Sequence, residues 1–296
     1  MTDQIKVKLT GGLGNQLFKA MSAMEFARKF DCSLIVDTSW YKAEATPGLV
    51  SHRSFGLNYF PNLDKELTFQ SKASFNVVEK KIGQLRRRFN GKIAAKTGYI
   101  TDHNYAYVKK GLKRYYMEGN FENWKLLPPD ETLKRLLEFP ELKSQWYEFN
   151  SNKLKDLEYI SVHVRMGDYV NLPHIYDILT PKYYVDAIKR ARETVGDLPV
   201  VLFSDNTTDA LIWLSNQIKI DEIIKNEDLV PAGEVLTLQS QARAIVTAHS
   251  TFSWWSAKIG TLFNTTKCVV LPSRYFRDTF VQRSDLFVNG WIIVEV

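Results

Sequence analysis

The sequence predicts an α/β protein made of two parallel-sheet halves. Three observations carry this. Short β-branched runs alternate with helical periods, glycine- or hydroxyl-rich turns follow several of those runs, and a length of 296 residues suits two domains of ordinary size or one large α/β unit. A strand that is followed by a helix and then another strand pairs parallel, because the helix returns the chain to the starting edge.

The first strand is Ile5 to Leu9. After it Leu17, Ala20, Met21, Met24, Ala27 and Arg28 recur at three- and four-residue steps, so Leu17, Met21 and Met24 read as helix core. A second strand runs from Ser33 to Val36. Residues 62–150 are irregular, with Pro128, Pro129 and Pro140 marking turns. Within them Lys80, Lys81, Arg86, Arg87, Arg88, Lys92 and Lys96 face only Glu79, which reads as a solvated helix face or else a contact with an anionic membrane or phosphoglycan. The polar stretch SNKLKD then leads into the strand Ile160 to Val164. From there the order is helix Tyr183 to Val195, strand Pro199 to Phe203, helix Asp209 to Ile218, and strands Ala244 to Ala248 and Cys268 to Leu271. The division expected is residues 1–150 and 151–296.

Hydrophobic residues at 45% and charged ones at 24% exclude disordered, collagenous and coiled-coil classes. Lys and Arg number 39 against 33 Asp and Glu, an excess that suits a phosphate-bearing partner without demanding nucleic acid. Cys32 and Cys268 make neither a disulfide framework nor a zinc site, and read as buried thiols in a reducing cytoplasm. No secretion signal opens the sequence and no apolar stretch approaches the roughly 18 residues of a membrane span.

Three segments at strand ends carry chemistry. Gly11-Gly12-Leu13-Gly14-Asn15-Gln16 lies between the first strand and the long helix, where glycines permit a sharp turn and close approach to a ligand. A dinucleotide fold is the rival, with Asp37 at ribose distance, but the third fingerprint glycine is replaced by Leu17. A plain turn with Asn15 capping the helix is the structural alternative. In the second segment His163 and Arg165 share one strand face, and Met166, Gly167, Asp168 and Tyr169 follow. An arginine there forks onto phosphate, and Asp168 is a cap or loop anchor. The third, His249 to Ala257, places Ser250, Thr251 and Ser253 where a strand gives way to a helix, to cap amides or hold phosphate, with Trp254 and Trp255 as a rigid wall. Asp205 ends a further strand.

In that order and at those separations, GGLGNQLF, HVRMGDY and HSTFSWW resemble the three signature segments of the α-1,2-fucosyltransferases of glycosyltransferase family 11, over nearly the whole chain. The resemblance implies a GT-B architecture, two Rossmann-like halves facing across a cleft. The N-terminal half would take the acceptor and the C-terminal half GDP-L-fucose. It further implies inverting transfer of fucose to the 2-hydroxyl of a terminal β-galactoside, as in a surface polysaccharide, with no metal and no cofactor beyond the donor.

Carried over by residue, Arg165 inherits the diphosphate and Asn15 assists departure of GDP. Ser250, Thr251 and Ser253 match the segment at the β-phosphate, and Asp205 lies where relatives recognise guanine. Gly12, Gly14, His163 and Asp168 match their segments. Met166 replaces the family's usual second arginine, and residues 235–240 depart from the acid and Leu-Met-Ser that relatives often carry.

Negative charge growing on the β-phosphate needs preorganised donors, which Arg165, the hydroxyls and helix amides supply. Glu118, Asp168 and His174 are candidate bases, and Trp40, Tyr41 and Phe121 candidate sugar-facing rings. An NAD-dependent oxidoreductase using the Gly11–Gln16 loop, and a basic non-enzymatic polyanion binder, are the alternatives. The protein is expected in the cytoplasm, with peripheral contact to a membrane-borne lipid-linked glycan.

Overall fold

The computed structural model describes residues 3–42, 54–71, 95–141, 144–166, 179–225, 230–275 and 284–296. The chain divides into two compact units, Met1–Leu136 and Leu137–Val296.

The first unit begins with β1 (Gln4–Lys8), α1 (Leu13–Phe30) and β2 (Ser33–Asp37). Leu17, Ala20 and Met21 are fully buried, as their spacing predicts. Asp31 takes a left-handed φ of 57° and ends the helix, so that β2 starts two residues later. Next come α2 (Pro61–Glu66), β3 (Thr68–Gln70), β4 (Tyr99–Ile100), β5 (Arg114–Met117) and α3 (Asp130–Leu136). The five strands, all parallel, are ordered β3-β2-β1-β5-β4. Part of the stretch that reads as irregular is therefore ordered, and β5 lies directly beside β1. The run Arg-Tyr-Tyr-Met is too short and lacks the β-branched residues that would announce a strand.

The second unit opens with α4 (Gln145–Leu154), whose first turn is capped by Ser144 Oγ accepting the Tyr147 N–H at 3.0 Å. The division drawn from sequence after residue 150 falls inside this helix; SNKLKD is its last turn and the two residues that follow. Then follow β6 (Ile160–Val164), α5 (Pro181–Val195), β7 (Val200–Ser204), α6 (Thr207–Leu214), β8 (Glu222–Lys225), α7 (Ala232–Ser240), β9 (Ala244–Val246), α8 (Thr251–Leu262), β10 (Cys268–Pro272) and β11 (Ile292–Val294). The six strands are parallel in the order β11-β10-β9-β6-β7-β8.

Both faces of this sheet are covered. Ile160, Val162 and Val164 pack with Tyr184, Ala187 and Ile188 of α5, while Val201, Phe203 and Ile245 pack with Leu238 of α7 and Ala257 of α8. Trp254 and Trp255 are fully buried, and Trp254 Nε1 donates to the Leu286 carbonyl at 2.8 Å; the expected wall is interior core. Cys268 is buried, Cys32 only half-buried, and neither forms a disulfide.

Candidate functional site

In the second sheet β6 lies between β7 and β9, and the chain leaves it toward opposite edges. The crevice beyond the carboxyl ends of such strands is where open α/β sheets bind ligands. Val164 pairs with Ser204 across β6 and β7, so Arg165 and Asp205 emerge side by side. Arg165 Nη1 sits 2.6 Å from Asp205 Oδ2, and Asp205 Oδ1 accepts the Met166 N–H at 3.0 Å. Both side chains are largely sheltered, at 15% and 18% exposure, which strengthens a charge-assisted bond. Asp205, expected at guanine, thus grips the 165–166 segment. The strand ends at Val164, one residue short of the reading that gave Arg165 a strand face. Met166 nevertheless departs from Arg165, packing against the apolar cluster under α5. Gly167, Asp168, Tyr169 and His174 lie outside the described residues, as does most of the basic 80–96 stretch.

His163 is only 6% exposed, its ring 5.9 Å from that of Phe252. Its Nδ1 has no hydrogen-bond partner among the described residues, and neither has the hydroxyl of Thr247, just after β9. Orphaned buried polar atoms are few in a native domain, and two of those found here, on His163 and Thr247, lie at the switch point. Burial pushes the His163 pKa down to about 4, with Arg165 acting in the same direction and Asp205 against it. The imidazole is neutral near pH 7. Between pH 6.5 and about 4 the unfolded chain binds the proton and the folded one does not, so stability falls as the pH drops through that window. His163→Asn should flatten the pH dependence of unfolding free energy there; a slope equal to that of the wild type would contradict a buried neutral histidine.

Ser250 caps α8, its Oγ accepting the Phe252 N–H at 3.2 Å, and Thr251 is the first helical residue. Ser253 is fully buried: its hydroxyl accepts the Ala248 N–H and donates to the Ser250 carbonyl, each at 3.2 Å. That hydroxyl shapes the turn rather than facing outward. What the turn presents is Thr251 and the amino end of a 12-residue helix, which favours anions. The departing segment at 235–240 lies in α7, where Gln239 Oε1 accepts from Ser256 Oγ at 2.7 Å and so ties α7 to α8.

In the first sheet β1 lies between β2 and β5, a second switch point. Gly11 has a φ of +85°, which favours glycine, and a β-carbon there would lie 3.0 Å from Asn15 Nδ2 and press on that amide. The helix cap is Gly12, not Asn15, which is the third helical residue. Gln16, fully buried, is a clamp that sequence reasoning missed. Its Nε2 donates to the carbonyls of Gly11 at 3.1 Å and Ser54 at 2.9 Å, and its Oε1 accepts the Gly56 N–H at 2.9 Å. Tyr41 OH donates to the same Gly11 carbonyl at 3.0 Å. Gly14 is buried in the first helical turn. Of the three candidate sugar-facing rings Phe121 is buried, while Trp40 and Tyr41 are half-buried, Tyr41 with its hydroxyl on Gly11.

Gly12 is different. A β-carbon there would meet nothing within 4 Å, and its φ of −73° suits any residue. Serine is the better helix cap, so the fold alone does not explain glycine. Gly12→Ser is expected to hold or raise the melting temperature and lower kcat/KM at least tenfold. Full activity in a folded Gly12→Ser would show that nothing approaches this turn.

Lys19 was also missed. It is 3% exposed, and its ammonium donates to the hydroxyl and carbonyl of Thr10, just before the glycine turn. Burial lowers its pKa to about 8, against the opposing pull of Glu122, Asp102 and Glu118. Asp102 in turn accepts the N–H groups of Asn120 at 2.9 Å and Phe121 at 2.6 Å, and Glu118 accepts from Tyr99 OH. The signal was a lysine at a sheet-facing helix position, three residues after Gln16.

Among the described residues no three His, Cys, Asp or Glu side chains could share a metal ion, and no helix is long and apolar enough to cross a membrane. Over 96% of its length the chain is 25% identical to the O-antigen biosynthesis glycosyltransferase WbnK of Escherichia coli, covering 98% of that protein. It is 24% identical to an alpha-1,2-colitosyltransferase of Escherichia coli over 98% of this chain and 99% of the other. The fold is similar to that of the fucosyltransferase NodZ from Bradyrhizobium, with a TM-score of 0.55 at 13% identity, covering 87% of this chain and 93% of that one. That likeness shows the fold, an α/β architecture of the GT-B type with two parallel-sheet domains. Nothing in these likenesses supports the oxidoreductase reading. A sequence model of glycosyl transferase family 11 matches residues 101–295, more than half of the chain, and the chain belongs to that family.

Proposed function

We propose that the protein transfers L-fucose from GDP-L-fucose to the 2-hydroxyl of a terminal β-galactoside in a surface polysaccharide, with inversion and without a metal. The observation that carries this reading is the Arg165–Asp205 pair, held beside the orphaned His163 nitrogen at a strand switch point. NodZ, whose fold this chain shares, has been examined with GDP-fucose soaked into its crystals. In this reading Arg165 meets the diphosphate and Asp205 fixes the direction of its guanidinium. Neutral His163 supplies a donor or acceptor that costs no charge, and the amino end of α8 with Thr251 adds amides to the β-phosphate. As the C1–O bond to phosphate breaks, its electron pair leaves with GDP, and these donors meet the charge that develops. Asn15, above the glycine turn of β1, assists that departure, and a carboxylate such as Glu118 or Asp168 takes the acceptor proton.

One charged fork and several neutral donors reach about −7 to −8 kcal/mol, a micromolar dissociation constant. Calorimetric titration with GDP in excess EDTA should show it, while NADH and an RNA oligomer give no heat. Binding of GDP only after magnesium or manganese is added would remove the metal-free part of the reading. Heat from NADH alone would remove all of it.

A second donor is favoured by one observation, the likeness to an alpha-1,2-colitosyltransferase. Colitose lacks the 3-hydroxyl of fucose, and a site built to bond that hydroxyl rejects the analogue strongly, whereas an apolar one does not. Competition between GDP-fucose and GDP-colitose at equal concentration separates the two.

A further inference from the structure

The first unit carries a cationic surface at the end of its sheet opposite the Gly11–Asn15 turn. Parallel strands start there, and α1, running back against them, finishes there. Arg28 and Lys29 of the last turn of α1 are exposed, and so are Lys109, Lys110, Lys113 and Arg114 ahead of β5. Glu25 pairs with Arg28 and Lys29, and Asp3, Asp31 and Lys110 all act on the Cys32 thiol. The four cations at 109–114 make no ion pair with any described residue.

This loop is built, not merely charged. The hydroxyl of Tyr115, itself fully buried, accepts the Leu112 N–H at 2.9 Å and donates to the Lys109 carbonyl at 3.0 Å. The core thus pins the backbone from below, and Gly111 completes the turn at a φ of +112°. Tyr107, 49% exposed, stands just ahead of the cations. Cations on a fixed turn with an exposed aromatic ring beside them match an anionic bilayer surface, where lysines meet headgroup phosphates and a tyrosine settles at the interface.

We propose that the Tyr107–Arg114 loop docks the protein on anionic lipid, with the Gly11–Asn15 turn on the far side of that unit from the bilayer. Each cation close to such a surface strengthens binding about fivefold. Salt weakens it.

Sedimentation with phosphatidylglycerol vesicles at about 0.1 M salt, against phosphatidylcholine vesicles, tests this. The full-length wild type should sediment with the anionic vesicles only. The triple variant Lys109→Glu, Lys110→Glu, Lys113→Glu should bind at least 100-fold more weakly, with unchanged melting and unchanged GDP affinity. Tyr107→Ser should reduce the binding that survives at high salt. Equal binding of the triple variant, no binding of the wild type to anionic vesicles, or tighter binding to an RNA oligomer than to them would overturn the proposal. GDP titration is read separately, so failure of the donor reading stays distinct from failure of the docking surface.

Discussion

Arg165→Ala is expected to abolish transfer. Loss of one preorganised donor to developing charge costs about 10²–10³ in rate, and here the donor is also the fixed positive charge of the site. The substitution removes the Arg165 partner of Asp205, which keeps the Met166 N–H, so a small loss of stability accompanies it. Arg165→Lys controls for that: it keeps the charge and the pair with Asp205 but not the planar fork, and should still lose most of its turnover. Met166→Arg is expected to remain active, because Met166 packs against the cluster under α5 and a long side chain can carry its charge outward from there. Measured kcat, GDP affinity and melting temperature decide the matter. Equal loss in the Met166→Arg and Arg165→Ala variants, with unchanged melting, would mean that the segment is not oriented as described.

The second large effect is expected at Asn15. Asn15→Ala should lower kcat and kcat/KM together by about 10² while GDP affinity changes less than twofold, the pattern of an interaction made mainly in the transition state. The competing explanation, loss of a helix cap, is weakened because Gly12 holds that position. A cap lost to alanine would cost about 0.5–2 kcal/mol and return with serine. Asn15→Ala should therefore melt close to the wild type, and Asn15→Ser should be no more active than Asn15→Ala. Activity that returns with stability in Asn15→Ser would discard the catalytic role.

How far the sequence was legible depends on how local each signal is. The β1–turn–α1 unit was readable because its glycines, its strand and its helical period lie within about 25 residues, where spacing alone carries the geometry. Arg165 was readable for the same reason. The Arg165–Asp205 bond joins residues 40 apart that only strand register brings together, so Asp205 could be placed at a strand end but not on its partner. Gln16 reads as the last residue of the glycine segment; its clamp on Ser54 and Gly56 is a long-range contact with no pattern in the chain. Ser253 shows the limit of residue type, since a hydroxyl at a helix start serves a phosphate or the turn itself, and here it closes the turn. β5 was hidden by its length and its arginine, and α4 by a polar face that resembles a linker.

The most direct test of the account is the product. The protein would be incubated with GDP-L-fucose and a panel of Gal-β-1,3 and Gal-β-1,4 acceptors in EDTA, and the linkage and anomeric configuration of the new residue read by NMR. The expected result is α-fucose on the 2-hydroxyl of galactose, formed by inversion from the β-linked donor, and absent with Arg165→Ala. Fucose attached at another hydroxyl, retained β-configuration, or release of free fucose with every acceptor would contradict it.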